Sequence, residues 1–98
     1  MIVQLREWDG SKYLETSEDI ALYLAACFEE DGSDAAFIAR VLDDISRSAG
    51  LRHVATEAGI DADALATALV RNGLPNFDAM LTLVNALGLQ FRIEPTAA

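Results

Sequence analysis

The stretch "LRHVATEAGIDADALATALV" (residues 51–70) decides how this chain is read. Two helices that cross closely need a small residue at the crossing and a glycine-tolerant position in the tight turn between them. Ala55 supplies the first and Gly59, four residues on, supplies the second. Val54, Ala58, Ile60, Leu65 and Ala68 fill the apolar positions at helical spacing, which completes the pattern of a helix-turn-helix. Such a unit ordinarily meets a polyanion, yet Asp61 and Asp63 stand at the start of its second helix.

Working outward, "TSED" offers Thr16 or Ser17 as the N-cap of a helix with acids in its first turn. The stripe Ile20, Tyr23, Leu24, Cys27 and Phe28 carries that helix to about Asp31. Ser33 is the expected cap of a second helix, which runs to about Ser48 on Phe37, Ile38, Val41, Leu42 and Ile45, with Gly50 as its stop. Beyond residue 70, "NGLPN" reads as a loop. A further helix then presents Phe77, Met80, Leu81, Val84 and Leu87 inward and closes at Gly88.

The two ends read as extended chain. "IVQLREW" alternates enough for a short N-terminal strand or arm. "LQFRIEP" sets Leu89, Phe91 and Ile93 against Gln90, Arg92 and Glu94, so residues 89–94 are expected to form a C-terminal strand. A lone strand leaves unpaired backbone groups, so it is expected to pair with the N-terminal segment, with its copy in a second subunit or with a partner chain; for a dimer, Leu89, Phe91 and Ile93 are the expected contact. The fold class is mainly α: a compact bundle of about five helices containing a helix-turn-helix, with these two extended pieces.

The 98 residues fit a single domain, 1–98, and 52% hydrophobic with 23% charged residues is a globular composition. No apolar run approaches the roughly 18 residues of a membrane span, and the N-terminus lacks the basic and apolar regions of a secretion signal. A cytoplasmic protein is expected. The lone Cys27 lies on a helical stripe and reads as a small core residue.

The net charge of −9 is unevenly spread. Residues 1–44 carry eleven acids against three bases, residues 45–93 are balanced, and Glu94 adds the last negative charge. The helical pair at 17–48 is therefore an acidic surface on which a basic protein can dock, while the second half is not repelled outright by DNA.

Chemistry-bearing sets are missing from the sequence. His53 has no second histidine or cysteine pair, adjacent Asp43 and Asp44 point to different helix faces, and there is no glycine-rich phosphate loop or Ser-His-Asp set. An enzyme, a cofactor, a metal site and a small-molecule substrate are all unexpected.

From Tyr13 onward, "YLETSEDIALYL", "EEDGSDAAFIARVLDDISRSAG", "LRHVATEAGI" and "GLPNFDAMLTLVNALGL" follow one family's order and spacing, over about residues 9–91. In them the chain resembles the HigA-related addiction-module antidote proteins, small antitoxins with a lambda-repressor-like helix-turn-helix. The resemblance implies an antitoxin that binds a RelE-like toxin, a ribosome-associated messenger-RNA endonuclease, and represses its own operon as a homodimer by binding operator DNA.

The chain departs from that family where DNA would be read. The family carries serine, arginine, tyrosine and lysine where this sequence has Asp61, Ala62, Ala64, Ala66 and Thr67, and an arginine where it has Asn76. The expected remaining DNA contacts are Arg47, Arg52, His53, Thr67, Arg71 and Asn72. Val54, Ala55, Gly59, Ile60 and Leu65 are the expected shape-determining positions. Two readings stay open: a transcription regulator of the antitoxin type, and a degenerate helix-turn-helix that serves protein contacts without binding DNA.

Overall fold

Thr16 starts the first long helix through reciprocal hydrogen bonds. In the computed structural model, which describes residues 10–95, its hydroxyl accepts from the Asp19 N–H at 3.0 Å. Asp19 Oδ2 in turn accepts from the Thr16 N–H at 3.2 Å and the Glu15 N–H at 3.0 Å. This capping box satisfies donors that a helix start otherwise leaves orphaned, and it launches α1 (Ser17–Asp31) out of a 3-10 turn at Gly10–Tyr13. Ile20 and Leu24 are buried, with Tyr23, Cys27 and Phe28 packed beside them. The expected N-terminal strand or arm lies outside the described residues.

Asp34, one residue after the expected Ser33, caps α2 (Ala35–Ser46) by accepting from the Ala36 and Phe37 N–H groups at 3.0 and 3.2 Å. Its apolar stripe forms the centre of the core, with Val41, Leu42 and Ile45 almost fully buried. α2 stops at Ser46, before the expected Ser48, and Gly50 is not its stop. Gly50 lies in the first turn of α3 (Ala49–Ala58), where its N–H donates to Leu14 O at 2.8 Å. The junction is held by buried Ser48, whose hydroxyl donates to Ile45 O at 2.7 Å and accepts from the Leu51 N–H at 3.3 Å.

α3 ends at Gly59, which takes φ +72, with its N–H donating to Thr56 O and the Ile60 N–H donating to Ala55 O. This is the Schellman ending, and a glycine adopts it without the steric cost a Cβ would bring. Asp61 then caps α4 (Ala62–Leu69), accepting from the Asp63 and Ala64 N–H groups at 2.9 and 3.2 Å. Leu65 and Leu69 are its buried residues.

The chain leaves α4 through a hairpin where the sequence suggested a loop. β1 (Val70–Arg71) pairs antiparallel with β2 (Leu74–Pro75), and Asn72 and Gly73 between them take φ +56 and +76. Two positive φ values in a two-residue loop are the type I′ signature, for which Asn-Gly is the preferred sequence. The hairpin rests against α2 and delivers the chain to α5 (Phe77–Ala86).

α5 buries Ala79, Met80, Leu83 and Val84, so its inward face is rotated from the expected one: Phe77 is 62% exposed and Leu81 half-buried. Gly88, at φ +76, ends it by the same Schellman bonding, the Leu89 N–H donating to Val84 O. Residues 89–95 form no strand, which corrects the expected C-terminal strand. Leu89 is committed to the helix ending. Phe91 packs on Phe28 and Phe77 with ring centroids 5.8 Å from each, instead of projecting from a sheet. The fold is thus mainly helical, five helices with one short two-stranded sheet among the described residues.

Candidate nucleic-acid interface

The expected shape-determining residues gather at the α3–α4 corner. Val54 and Ala55 are each 1% exposed and Leu65 5%, with Ile60 half-buried over the turn. Ala58 departs from the expected apolar set, being exposed on the last turn of α3. The close approach of the two helices follows from Ala55 and the reversal from Gly59. The outer face of α4 is left with Asp63, Ala64 and Thr67 exposed.

Of the six expected DNA contacts, Arg47 and Arg52 are brought to one place. They line a polar recess of about 110 Å³ together with Ser46, Ser48 and Asp63. Neither cation stands alone there. Arg47 Nε lies 3.2 Å from Asp43 Oδ2 and its Nη2 lies 2.8 Å from Asp44 Oδ1, the natural partners three and four residues back on α2. An Arg52 terminal nitrogen lies 3.5 Å from Asp63 Oδ1 across the turn. The pairs with Asp43 and Asp63 are solvent-exposed and contribute little to stability, whereas Asp44 is half-buried. Their effect is electrostatic: an acid sits wherever the recess offers a cation to a phosphate.

The other four do not join them. His53 is exposed on α3 and Thr67 on α4, outside the recess. Arg71 and Asn72, expected at the end of the second helix, lie in the hairpin beyond it. Arg71 has no ion-pair partner among the described residues, and Asn72 is a turn residue set by its positive φ. The expected dimer residues Leu89, Phe91 and Ile93 are 39%, 37% and 99% exposed.

Two groups on α1 are tuned by burial. The Tyr23 hydroxyl donates to Asp44 Oδ2 at 2.9 Å. Burial first, and then this bond and the charge of Asp44, hold the phenol protonated well above its ordinary range. Burial also pushes the Cys27 thiol up, which suppresses the thiolate and fits a packing role. Among the described residues, no three acidic, histidine or cysteine side chains form a metal-binding group, and no helix is long and apolar enough to cross a membrane.

Sequence reasoning missed the Asn72-Gly73 hairpin, although that dipeptide was its signal. It also missed the groove that Phe28, Phe91 and Val84 line between α1, α5 and the C-terminal segment, which depends on long-range packing and has no local signal.

Together these features define a small helical domain with a two-helix corner at one surface and an acidic helix end at another. The chain belongs to the family of probable addiction module antidote proteins, whose model matches residues 4–95. It is 34% identical over 94 residues to an uncharacterized protein of Haemophilus influenzae, a match covering 96% of this chain and 95% of the relative. No solved structure matches.

Proposed function

We propose that this protein is the antitoxin of a toxin–antitoxin pair, binding a RelE-like toxin and acting as a transcription regulator of its own operon. As a homodimer in the cytoplasm it binds operator DNA through a lambda-repressor-like helix-turn-helix formed by α3 and α4. The observation that carries this reading is the α3–α4 corner, with Ala55 buried between helices and Gly59 reversing the chain, in a member of an antidote family. A toxin of basic surface is the partner that the acidic N-terminal half suits.

The operator contact is weak and salt-sensitive. Phosphate neutralisation supplies much of DNA affinity, and here Asp43, Asp44 and Asp63 already occupy the two arginines of the recess. Those same ion pairs favour a second reading, in which the corner is a degenerate helix-turn-helix that serves protein contacts and leaves DNA alone.

Fluorescence anisotropy with a labelled fragment of the gene's own upstream region separates the two. The protein is titrated at several salt concentrations, with and without the toxin, alongside Arg47→Ala and Arg52→Ala. Saturable binding that weakens with salt and is lost in both variants supports the regulator. Absence of binding into the high micromolar range, with and without toxin, refutes it and leaves the interaction module.

A further inference from the structure

We infer that the groove between α1, α5 and the C-terminal segment is the docking site for an amphipathic, basic chain segment of the toxin, an inference that rests on the antitoxin reading. The groove has a volume of about 280 Å³ and an apolar floor in which Leu24, Phe28, Val84, Leu89 and Phe91 take part, with Arg92 as its one charged lining residue. At one side, the Phe28–Phe91–Phe77 ring cluster comes to the surface, and Ile93 beside it is 99% exposed.

The rim states the partner's charge. α1 ends in Glu29, Glu30 and Asp31, with no basic residue in its last turn. Its C-terminal carbonyl groups add the negative end of the helix dipole to those three carboxylates. The same acids line an adjoining hollow with Arg92, Ile93 and Glu94, and Arg92 lies 3.4 Å from Glu94, which offsets its charge. With Arg92 paired to Glu94, the three carboxylates of α1 leave the rim net negative, and an apolar floor beside it suits a segment whose apolar side chains enter the groove and whose lysines or arginines lie over the rim.

The backbone supplies a third handle. Residues 90–95 make no backbone–backbone hydrogen bond among the described residues, so their N–H and C=O groups are available to a bound main chain. A second copy of this chain is the poorer occupant. It also carries −9, and its docking would set acid against acid at the rim.

The test uses the full chain, with the RelE-like toxin encoded beside its gene and two labelled synthetic peptides, one alternating lysine with isoleucine and one glutamate with isoleucine. Variants are the double change Glu29→Lys and Glu30→Lys at the rim, the change Ala25→Arg at an exposed residue that lines the groove, and Glu57→Lys on the exposed surface of α3 as control, each checked for an unchanged melting temperature. Toxin affinity falling at least about tenfold in both groove variants and staying within about twofold in the control supports the site. Toxin affinity unchanged in the groove variants overturns it while the antitoxin reading stands.

Should the wild type fail to bind toxin, the antitoxin reading falls. The groove assignment is then decided by the peptides: lysine peptide bound and lost in the variants upholds a basic-segment site, and no preference over the glutamate peptide overturns it. Light scattering covers the remaining occupant. A dimer that dissociates in the groove variants, with toxin affinity unchanged, assigns the surface to a second copy and refutes the inference.

Discussion

Replacing Gly50 with alanine tests the junction between the start of α1 and the start of α3. Gly50 is buried in the first turn of α3, and a Cβ there would meet Thr16 O at 2.8 Å, Leu14 O at 2.9 Å and Ile20 Cδ1 at 3.0 Å. Carbon–oxygen contacts normally settle at about 3.3–3.6 Å, so the 14–16 backbone must withdraw by roughly half an ångström. That movement loosens the 2.8 Å bond from the Gly50 N–H to Leu14 O and disturbs the capping box on Thr16. Helix propensity alone favours alanine by up to about 1 kcal/mol. Overpacking costs about 1–3 kcal/mol and a weakened buried hydrogen bond about 1 kcal/mol, so the substitution is net destabilising by about 2 kcal/mol. For a domain of this size that lowers Tm by roughly 10 °C, measured by thermal circular dichroism and checked by urea titration. An unchanged or raised Tm would refute the close-approach argument and leave propensity in charge.

Gly59→Ala meets no atom within 4 Å, so only its left-handed backbone resists, and Tm is expected to fall by about half as much, for a cost of about 1 kcal/mol. Asp61→Ala removes both cap bonds of α4 and lowers stability by about 1 kcal/mol, whereas Asp61→Asn keeps the cap; equal melting of the two variants would rule out capping. Tyr23 has a raised folded pKa, so its contribution is complete below the unfolded value of about 10 and is lost as pH rises above it. The urea midpoint should therefore drop above that pH and drop less in Tyr23→Phe, while parallel curves would mean the phenol's proton is not linked to folding.

Much of the helical framework was legible because its signals are local. The stripes of α1 and α2, the Thr16 cap, the turn at Gly59 and the ending at Gly88 each follow from spacing within a few residues. Gly50 was misread for the opposite reason: a glycine after a helix resembles a stop, while its actual cause is the carbonyl of Leu14, thirty-six residues away. Likewise the alternation of Leu89, Phe91 and Ile93 is a genuine strand pattern. The Schellman bond at Leu89 and the aromatic contacts of Phe91 override it, and neither can be seen from periodicity. At the candidate interface, Asp43 and Asp44 stand at pairing distance from Arg47 in the sequence itself. The approach of Asp63 to Arg52 exists only once the turn has folded, which is why the arginines could be named but their electrostatic company only partly foreseen.

α4 is anchored by two leucines, Leu65 and Leu69, together with its Asp61 cap. Asp63, Ala64 and Thr67 lie on the face that the core never touches. Selection for a folded chain is blind to that face, so mutations there accumulate or are recruited without passing through an unfolded ancestor. The residues that hold this short helix in place and the residues it presents to solvent are in this way separate sets. A lineage that loses a binding partner can erase the outer face, and one that gains a partner can rewrite it, while the domain beneath stays the same.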